Sequence, residues 1–559
     1  MVDAADLIIK AIEEEKYVLR GYEKPSEAIT MEVLRAIDHA YCRDLFPWSE
    51  ELEKSERMAL ELRKWAINGA LKRVMPLDLR ISKNNIFTSS AGTAEQTDEF
   101  LFRVGCLALA EQQLPLLRSG ALEGRIDGRI AGGMKLLVLT VRDDATYSEQ
   151  IGRQGLHWLS DMTMAGDRPR EASLERRHME VLPHLTRYLR NPSSHKLPFD
   201  GVDDYFAEWA VLYLRRMSYR DLLGEDDNFG GRPVADYLGV LAALSAMSQQ
   251  RLCYAGLLND DHPGVGIRNL MTGCAPHVEL IEGVASFLDA GYGEVAEILD
   301  HFVLEPGNAG VHLESGTPAF APVVRTSREF SMLPMYGLEL NPFLFLWTEL
   351  RRRYEKEWFE AANRREARWI AEMEQIFVAS GWSCLGGVKI KDGGRILTDI
   401  DFVACDEKSG GIILFQLKWQ QPFTIDHKIR RNNASNLIEE GNRWIAGVIE
   451  WMEAGGVETL KARFSLKDNA KNLVHLIVLG RYHAHFTGAA KCDSRAIWCD
   501  WGNFVRQVAE NGGVGCGDFI DRLRAIIVDH RSALEKESFF IPLADRLAIL
   551  VNPGKTVTN

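Results

Sequence analysis

The sequence predicts an α+β multidomain protein, with a large, mostly α-helical N-terminal region followed by a smaller α/β sandwich domain. Three observations lead there. Up to about residue 340, apolar residues recur at three- and four-residue spacing in one segment after another. A stretch rich in Gly and Pro, Leu304–Val323, interrupts that pattern. Beyond Gly381 the period shortens to two and β-type residues take over. The expected division is 1–340 for the helical region, 341–540 for the α/β domain and 541–559 for a C-terminal tail. A chain of 559 residues has room for two to four domains at roughly 100–200 residues each.

Each element follows from its own pattern. Helices are expected at Glu27–Tyr41, Trp48–Leu71, Glu99–Leu117, Thr146–Met164, Asp203–Met217, Pro233–Gln249 and His277–Phe302. They differ in length and show no common period, so a solenoid is not predicted. A basic helix over Pro342–Phe377 carries Arg351, Arg352, Arg353, Lys356, Arg364, Arg365 and Arg368. Interleaved Glu355, Glu357, Glu360 and Glu366 allow i,i+4 pairs on a solvated face. Strands follow at Gly387–Lys391, Arg395–Cys405 and Gly411–Trp419, the last two joined by Asp406-Glu-Lys-Ser-Gly-Gly411 in hairpin fashion. A helix at Ile429–Glu453, strands at Leu473–Leu479 and Ala496–Cys499, and a helix at Asn503–Glu510 complete a mixed α/β layer arrangement.

Composition narrows the function classes. Nine scattered cysteines, an odd number with no CxxC pair, read as reduced thiols and not as a disulfide framework or a zinc ribbon. The N-terminus is charged and amphipathic, which does not fit a secretory signal. The strongest apolar stretch, near Tyr237–Met247, is about half the ~20 residues of a membrane span. A cytoplasmic location and no membrane partner are expected. The net charge of −13 argues against a chain that coats nucleic acid through its overall field, but a local basic groove and bound cations would offset it.

The residues that carry chemistry sit on the two hairpin strands. Side chains alternate across a strand, so Asp399 and Asp401 are expected on one face of Thr398–Val403, with Ile400 and Phe402 on the other. In Leu414–Trp419, Gln416 and Lys418 share a face. Pairing through the Gly410-Gly411 turn brings a carboxylate, an amide oxygen and an ammonium together among apolar neighbours. Such groups are costly without partners. A divalent cation of the Mg²⁺ type, with Mn²⁺ as its substitute, supplies one: Asp401 would be the main ligand and Gln416 the second. The metal would activate water and stabilise charge on a phosphate, with Lys418 orienting the attack. The plainer alternative is a structural hairpin whose aspartates face solvent and pair with Lys418.

Asp392-Gly-Gly394, Asp399-Ile-Asp401 and Gln416-Leu-Lys418 resemble the PD-(D/E)xK, or restriction-endonuclease-like, nuclease superfamily, in its Mrr-like and NERD-like branches. The resemblance covers about residues 360–510 and does not extend to residues 1–340. It implies a restriction-endonuclease-like fold, a metal-dependent nuclease with DNA as the favoured substrate, and a catalytic core of Asp401, Gln416 and Lys418 supported by Asp399. Gln416 departs from the commoner Glu, though Mrr-like members often carry Gln there. The family often adds a Glu from the preceding helix. Glu366, Glu372 and Glu374 are the options, with Glu372 preferred. Analogy further implies a role in prokaryotic antiviral defence, a homo-oligomer as an option because many members cut duplexes as dimers, and a protein partner reached through the helical region. The alternative is an inactive nuclease fold kept as a nucleic-acid- or protein-binding module.

His427, Lys428, Arg430 and Arg431 cluster at a helix start, where cations oppose the macrodipole unless an anion joins them. They are the expected phosphate contacts, with a solvated helix end as the alternative. Trp419 and Trp444 could stack on bases but suit a core better. Gly128–Lys135 lacks the Gly-Lys-Ser/Thr ending of a phosphate loop. His483-Ala-His485 lacks companion metal ligands.

Overall fold

The computed structural model describes residues 3–22, 25–43, 52–82, 89–130, 133–141, 148–186, 203–217, 220, 223–261, 267–392, 395–419, 427–466, 474–484, 491–511, 515–532 and 538–552. The chain is mixed α/β, and its N-terminal region is mostly helical. Expected helices appear at Glu27–Cys42, Ala91–Arg118, Asp203–Arg216 and Val234–Asp261. The helix expected from Thr146 extends much further, as Ser148–Thr186. Three expected long helices are each broken in two; the described part of Trp48–Leu71 holds Lys54–Lys64 and a second helix, Ile67–Val74. His277–Leu288 stops at Asp289, whose φ of 50° caps the helix, and Tyr292–Leu299 follows. Pro342–Arg353 and Glu355–Ala379 are separated by Tyr354 at φ −131° and ψ 59°, whose hydroxyl bonds His301 Nε2 at 3.1 Å. The Gly/Pro-rich stretch holds a short helix, Pro306–Glu314, with Pro at its first turn and a capping box between Glu305 and Asn308. Helix Ala91–Arg118 is long and apolar enough to cross a membrane by composition, but its Phe100, Leu101, Val104, Leu107 and Ala110 are buried in the core.

The C-terminal tail expected over 541–559 is corrected for its described residues, 541–552. Phe539–Leu543 and Leu547–Asn552 are strands, and the second pairs in parallel with Lys135–Val141. With Leu122–Arg129 they form a four-stranded sheet on the N-terminal region. Leu547, Ile549 and Val551 are buried there beside Leu137 and Leu139 in the largest core cluster. Burial of this apolar strand gives the chain end a structural role that its position alone does not reveal.

Helix Glu355–Ala379 leads into the C-terminal sheet. Phe343, Leu346, Trp347 and Leu350 of the preceding helix pack with Val240, Leu241 and Leu299 of the helical region. Strands Ser383–Asp392, Arg395–Asp406 and Gly411–Lys418 then form an antiparallel meander. Helix His427–Glu453 crosses over to Val474–Gly480, which lies parallel to the third strand, and Ala496–Asp500 extends the sheet in parallel. The five strands lie in the spatial order fifth, fourth, third, second, first. One face packs against Trp369, Met373 and Phe377 of the leading helix and Phe504, Phe519 and Leu523 of helices Trp501–Asn511 and Cys516–Ser532. Leu437, Trp444, Ile445 and Val448 of the crossover helix cover the other.

The two regions are in direct contact. The long helix Ser148–Thr186 crosses Trp501–Asn511 where Gly155 meets Gly502. A Cβ built on Gly502 would lie 2.3 Å from the Gly155 carbonyl carbon, so any side chain there would force the helices apart.

Candidate active site

The hairpin turn forms as its residues suggest. Asp406 accepts the Lys408 N–H at 3.1 Å and the Ser409 hydroxyl at 2.6 Å through its side chain, and Gly410 adopts φ 74°. The ladder runs from Asp406↔Gly411 to Phe402↔Phe415 and ends there. Carrying the register one residue further sets Asp401 opposite Gln416. At that fork the Asp401 side chain takes over as acceptor: its Oδ2 receives the Leu417 backbone N–H at 2.6 Å and the Gln416 amide.

Asp401 meets a second break on its other flank. The ladder to the first strand passes from Ile400↔Val388 to Phe402↔Gly386 without an Asp401–Gly387 pair, and Gly387 has φ +62°. That left-handed backbone suits glycine. As a result, Ile400 packs with Val388, Ile390 and Trp444 on one face of the sheet, whereas Phe402 packs with Phe377 and Phe415 on the other. Strict alternation had put both on one side. The kink turns Asp401 into the fork, where it is only 7% exposed, and leaves Asp399 exposed.

Gln416 and Lys418 lie at the carboxyl end of the third strand, beside the carboxyl end of the fourth. Arg481 N–H bonds Lys418 O there at 3.0 Å. Ligands of open α/β sheets bind at such ends. Lys418 Nζ pairs with Glu440 of the crossover helix at 3.1 Å. Burial raises the Asp401 carboxyl to about 7. The Leu417 N–H counters it, Asp399 and Glu366 add to it, and Lys418 opposes it. Asp401, Gln416 and Lys418 therefore share one locus, with Asp399 beside it.

Glu372 lies elsewhere. It pairs with Arg481 at 2.7 Å, and that guanidinium stacks on Trp369, Trp419 and Trp501 with centroid distances of 5.5, 5.0 and 4.9 Å. The leading-helix carboxylate that acts on Asp401 is Glu366. A sequence signal for this existed. Glu366 lies three and seven residues before Trp369 and Met373, on the stripe that packs against the sheet, whereas Glu372 is about 100° off it. Trp419 and Trp444 are engaged in packing: Trp444 is buried and donates to Asp399 O at 2.7 Å. His427, Lys428, Arg430 and Arg431 occupy the first turns of the crossover helix, but their side chains lie outside the described residues, as do Gly393 and Gly394.

The donor set fits a hard divalent cation in part. Asp401 offers a carboxylate oxygen, Asp399 and Glu366 act on it through their charge, and a half-turn of the Gln416 amide would present Oε1 in place of Nε2. Among the described residues no three or more His, Cys, Asp or Glu side chains are grouped to hold a metal by themselves. Mg²⁺ needs only one or two protein carboxylates, with water and phosphate completing its shell. Compared with protein-family models, curated proteins and solved structures, the chain matches none.

Proposed function

We propose that the chain is a metal-dependent nuclease of the PD-(D/E)xK kind, hydrolysing phosphodiester bonds, with DNA as the favoured substrate and Mg²⁺ as cofactor. The observation that carries this reading is the Asp401 carboxyl, buried at a strand fork with two further carboxylates and one ammonium acting on it. A buried acid facing like charges is unfavourable as an anion until a cation joins it.

Asp401 and Gln416 would hold the cation, with Asp399 and Glu366 supporting it through the charge they add. The bound metal supplies an activated water and neutralises charge growing on the phosphate. The Leu417 N–H fixes the Asp401 carboxylate in place. Lys418 would leave Glu440 to donate to a phosphate oxygen or to orient the attacking water. His427, Lys428, Arg430 and Arg431 would hold the flanking phosphates. A cytoplasmic role in genome defence, with the helical region as sensor or oligomerisation platform, rests on analogy of fold.

One observation favours a second reading, an inactive nuclease-like module that binds nucleic acid or protein. Gln416 donates to Asp401 and Lys418 pairs with Glu440, so the group is satisfied internally. Plasmid cleavage in Mg²⁺ and calorimetric titration with Mn²⁺ separate the two. The nuclease reading expects cleavage that Lys418→Ala abolishes and a Mn²⁺ binding heat that Asp401→Ala abolishes. Cleavage that survives Lys418→Ala overturns it, and a wild type that neither cuts nor binds Mn²⁺ establishes the module.

A further inference from the structure

A cavity of about 550 Å³ lies between the two regions, walled by helices Asp203–Arg216 and Val234–Asp261 on one side and by helix Glu355–Ala379 and Trp419 on the other. Its volume falls in the range of small-molecule pockets, roughly 300–1,000 Å³. Leu214, Leu238 and Phe343 give it an apolar wall.

The opposite wall carries donors with nothing to bond. Arg365 Nε, Trp369 Nε1 and Trp419 Nε1 are all buried without a hydrogen-bond partner, and all three residues line this one cavity. Trp369 is 1% exposed. Such groups are rare in folded proteins, and three around one space indicate that acceptor atoms belong there. The charges differ in the same sense. Arg368 is met by Asp227 and Glu372 by Arg481, both at 2.7 Å. No carboxylate among the described residues pairs with Arg365. Its guanidinium instead lies over Trp419 at 4.9 Å and Trp358 at 5.9 Å, which leaves its N–H edge for a ligand.

We infer that this cavity binds a nucleoside monophosphate unit, with acceptor oxygens on Arg365 and the Trp369 and Trp419 indole N–H groups, and the base against Leu214, Leu238 and Phe343. The unfilled donors offer hydrogen bonds to acceptor oxygens, the Arg365 guanidinium offers charge to an anion, and the apolar wall offers a face to a ring that inorganic phosphate lacks. The site is separate from the Asp401 fork and stands whether or not that fork cleaves nucleic acid. A bound nucleotide would touch both regions, and Trp419 directly follows Lys418 in the chain.

Full-length protein is titrated with AMP and GMP, with adenosine and inorganic phosphate as half-ligands, following tryptophan fluorescence and melting temperature without added metal. At least one monophosphate is expected to bind, to raise the melting temperature, and to bind more tightly than either half. Arg365→Gln should weaken it by at least about tenfold. Trp419→Phe, which keeps the ring and removes the donor, should weaken it less, and Leu238→Phe should block it by filling the apolar side. The two further substitutions, one after the strand Gly411–Lys418 and one on helix Val234–Asp261, guard against misfolding of the arginine variant. A short single-stranded oligonucleotide that displaces AMP assigns the site to a unit of a bound strand, and failure to displace it assigns the site to a free nucleotide. Absence of monophosphate binding, or equal binding by Arg365→Gln, Trp419→Phe and Leu238→Phe, overturns the proposal.

Discussion

Two buried aspartates, one in each region, show how the same perturbation arises from different surroundings. Asp38 lies in helix Glu27–Cys42 with no exposure, and Asp401 lies at the strand fork with 7%. Burial lifts both carboxyls to about 7. Asp38 is met by donors: the Thr272 hydroxyl at 2.5 Å, the Tyr336 N–H at 2.8 Å and the charge of Arg251. Burial likewise lifts the nearby Glu339 to about 7; Gln249 Nε2 donates to its carboxylate at 2.6 Å, the Tyr213 hydroxyl donates to its backbone carbonyl, and the charge of Asp38 adds to the shift. Asp401 has one backbone donor and one amide, and the next influences are the carboxylates Asp399 and Glu366. In the first, both Asp38 oxygens are met by donors of the fold. In the second, two neighbouring carboxylates act against the anion and one ammonium acts for it, so a shifted pKa acquires functional meaning from what surrounds it.

The sharpest test of this contrast is cleavage. Asp401→Asn should cut Mg²⁺-dependent plasmid nicking by on the order of a hundred- to a thousandfold, and Lys418→Ala by a similar factor. Asp38→Asn should leave it within about twofold, because Asp38 touches only the helical core. Equal losses from Asp38→Asn and Asp401→Asn would erase the distinction.

Stability should move the other way. Asp38→Ala orphans a buried hydroxyl and a buried N–H, and should cost on the order of 3 kcal/mol in a denaturant titration. Asp401→Asn should instead stabilise the fold at high pH. A carboxyl whose folded-state pKa is raised to about 7 favours the folded state below its unfolded value of 3.8, and that contribution is lost as pH rises through 7. The wild type should therefore melt lower than Asp401→Asn at pH 8, by on the order of a few °C, with the gap closing towards pH 4. A gap that does not change with pH would mean that Asp401 does not titrate there.

The smallest effect separates the two helix acids. Glu366→Gln should weaken Mn²⁺ binding by roughly tenfold, as loss of a supporting carboxylate does, and Glu372→Gln should leave it unchanged. Calorimetry reads both, and the reverse ranking would restore Glu372 to the site.

The hairpin was legible because its determinants are local. The Asp406–Gly411 connector fixes the register, and the register fixes that Asp401 meets Gln416. The same locality misled about Ile400 and Phe402, because a left-handed Gly387 on a neighbouring strand breaks the pleat at Asp401. Glu366 was legible in principle from the stripe it shares with Trp369 and Met373, once the face that packs on the sheet was known.

The sequence by itself determined the helical stripes, the change to period two after Gly381, the turn, and the identity of the three hairpin residues, since each depends on neighbours a few positions away. Tertiary structure alone decided that Leu547–Asn552 pairs with Lys135–Val141, that the long helix of the first region meets the second at Gly155 and Gly502, and that Arg365, Trp369 and Trp419 surround one cavity. Those partners lie tens to hundreds of residues apart or share a space that no single segment encloses. Their selection depends on which apolar faces and unmet polar groups remain once the local elements have formed.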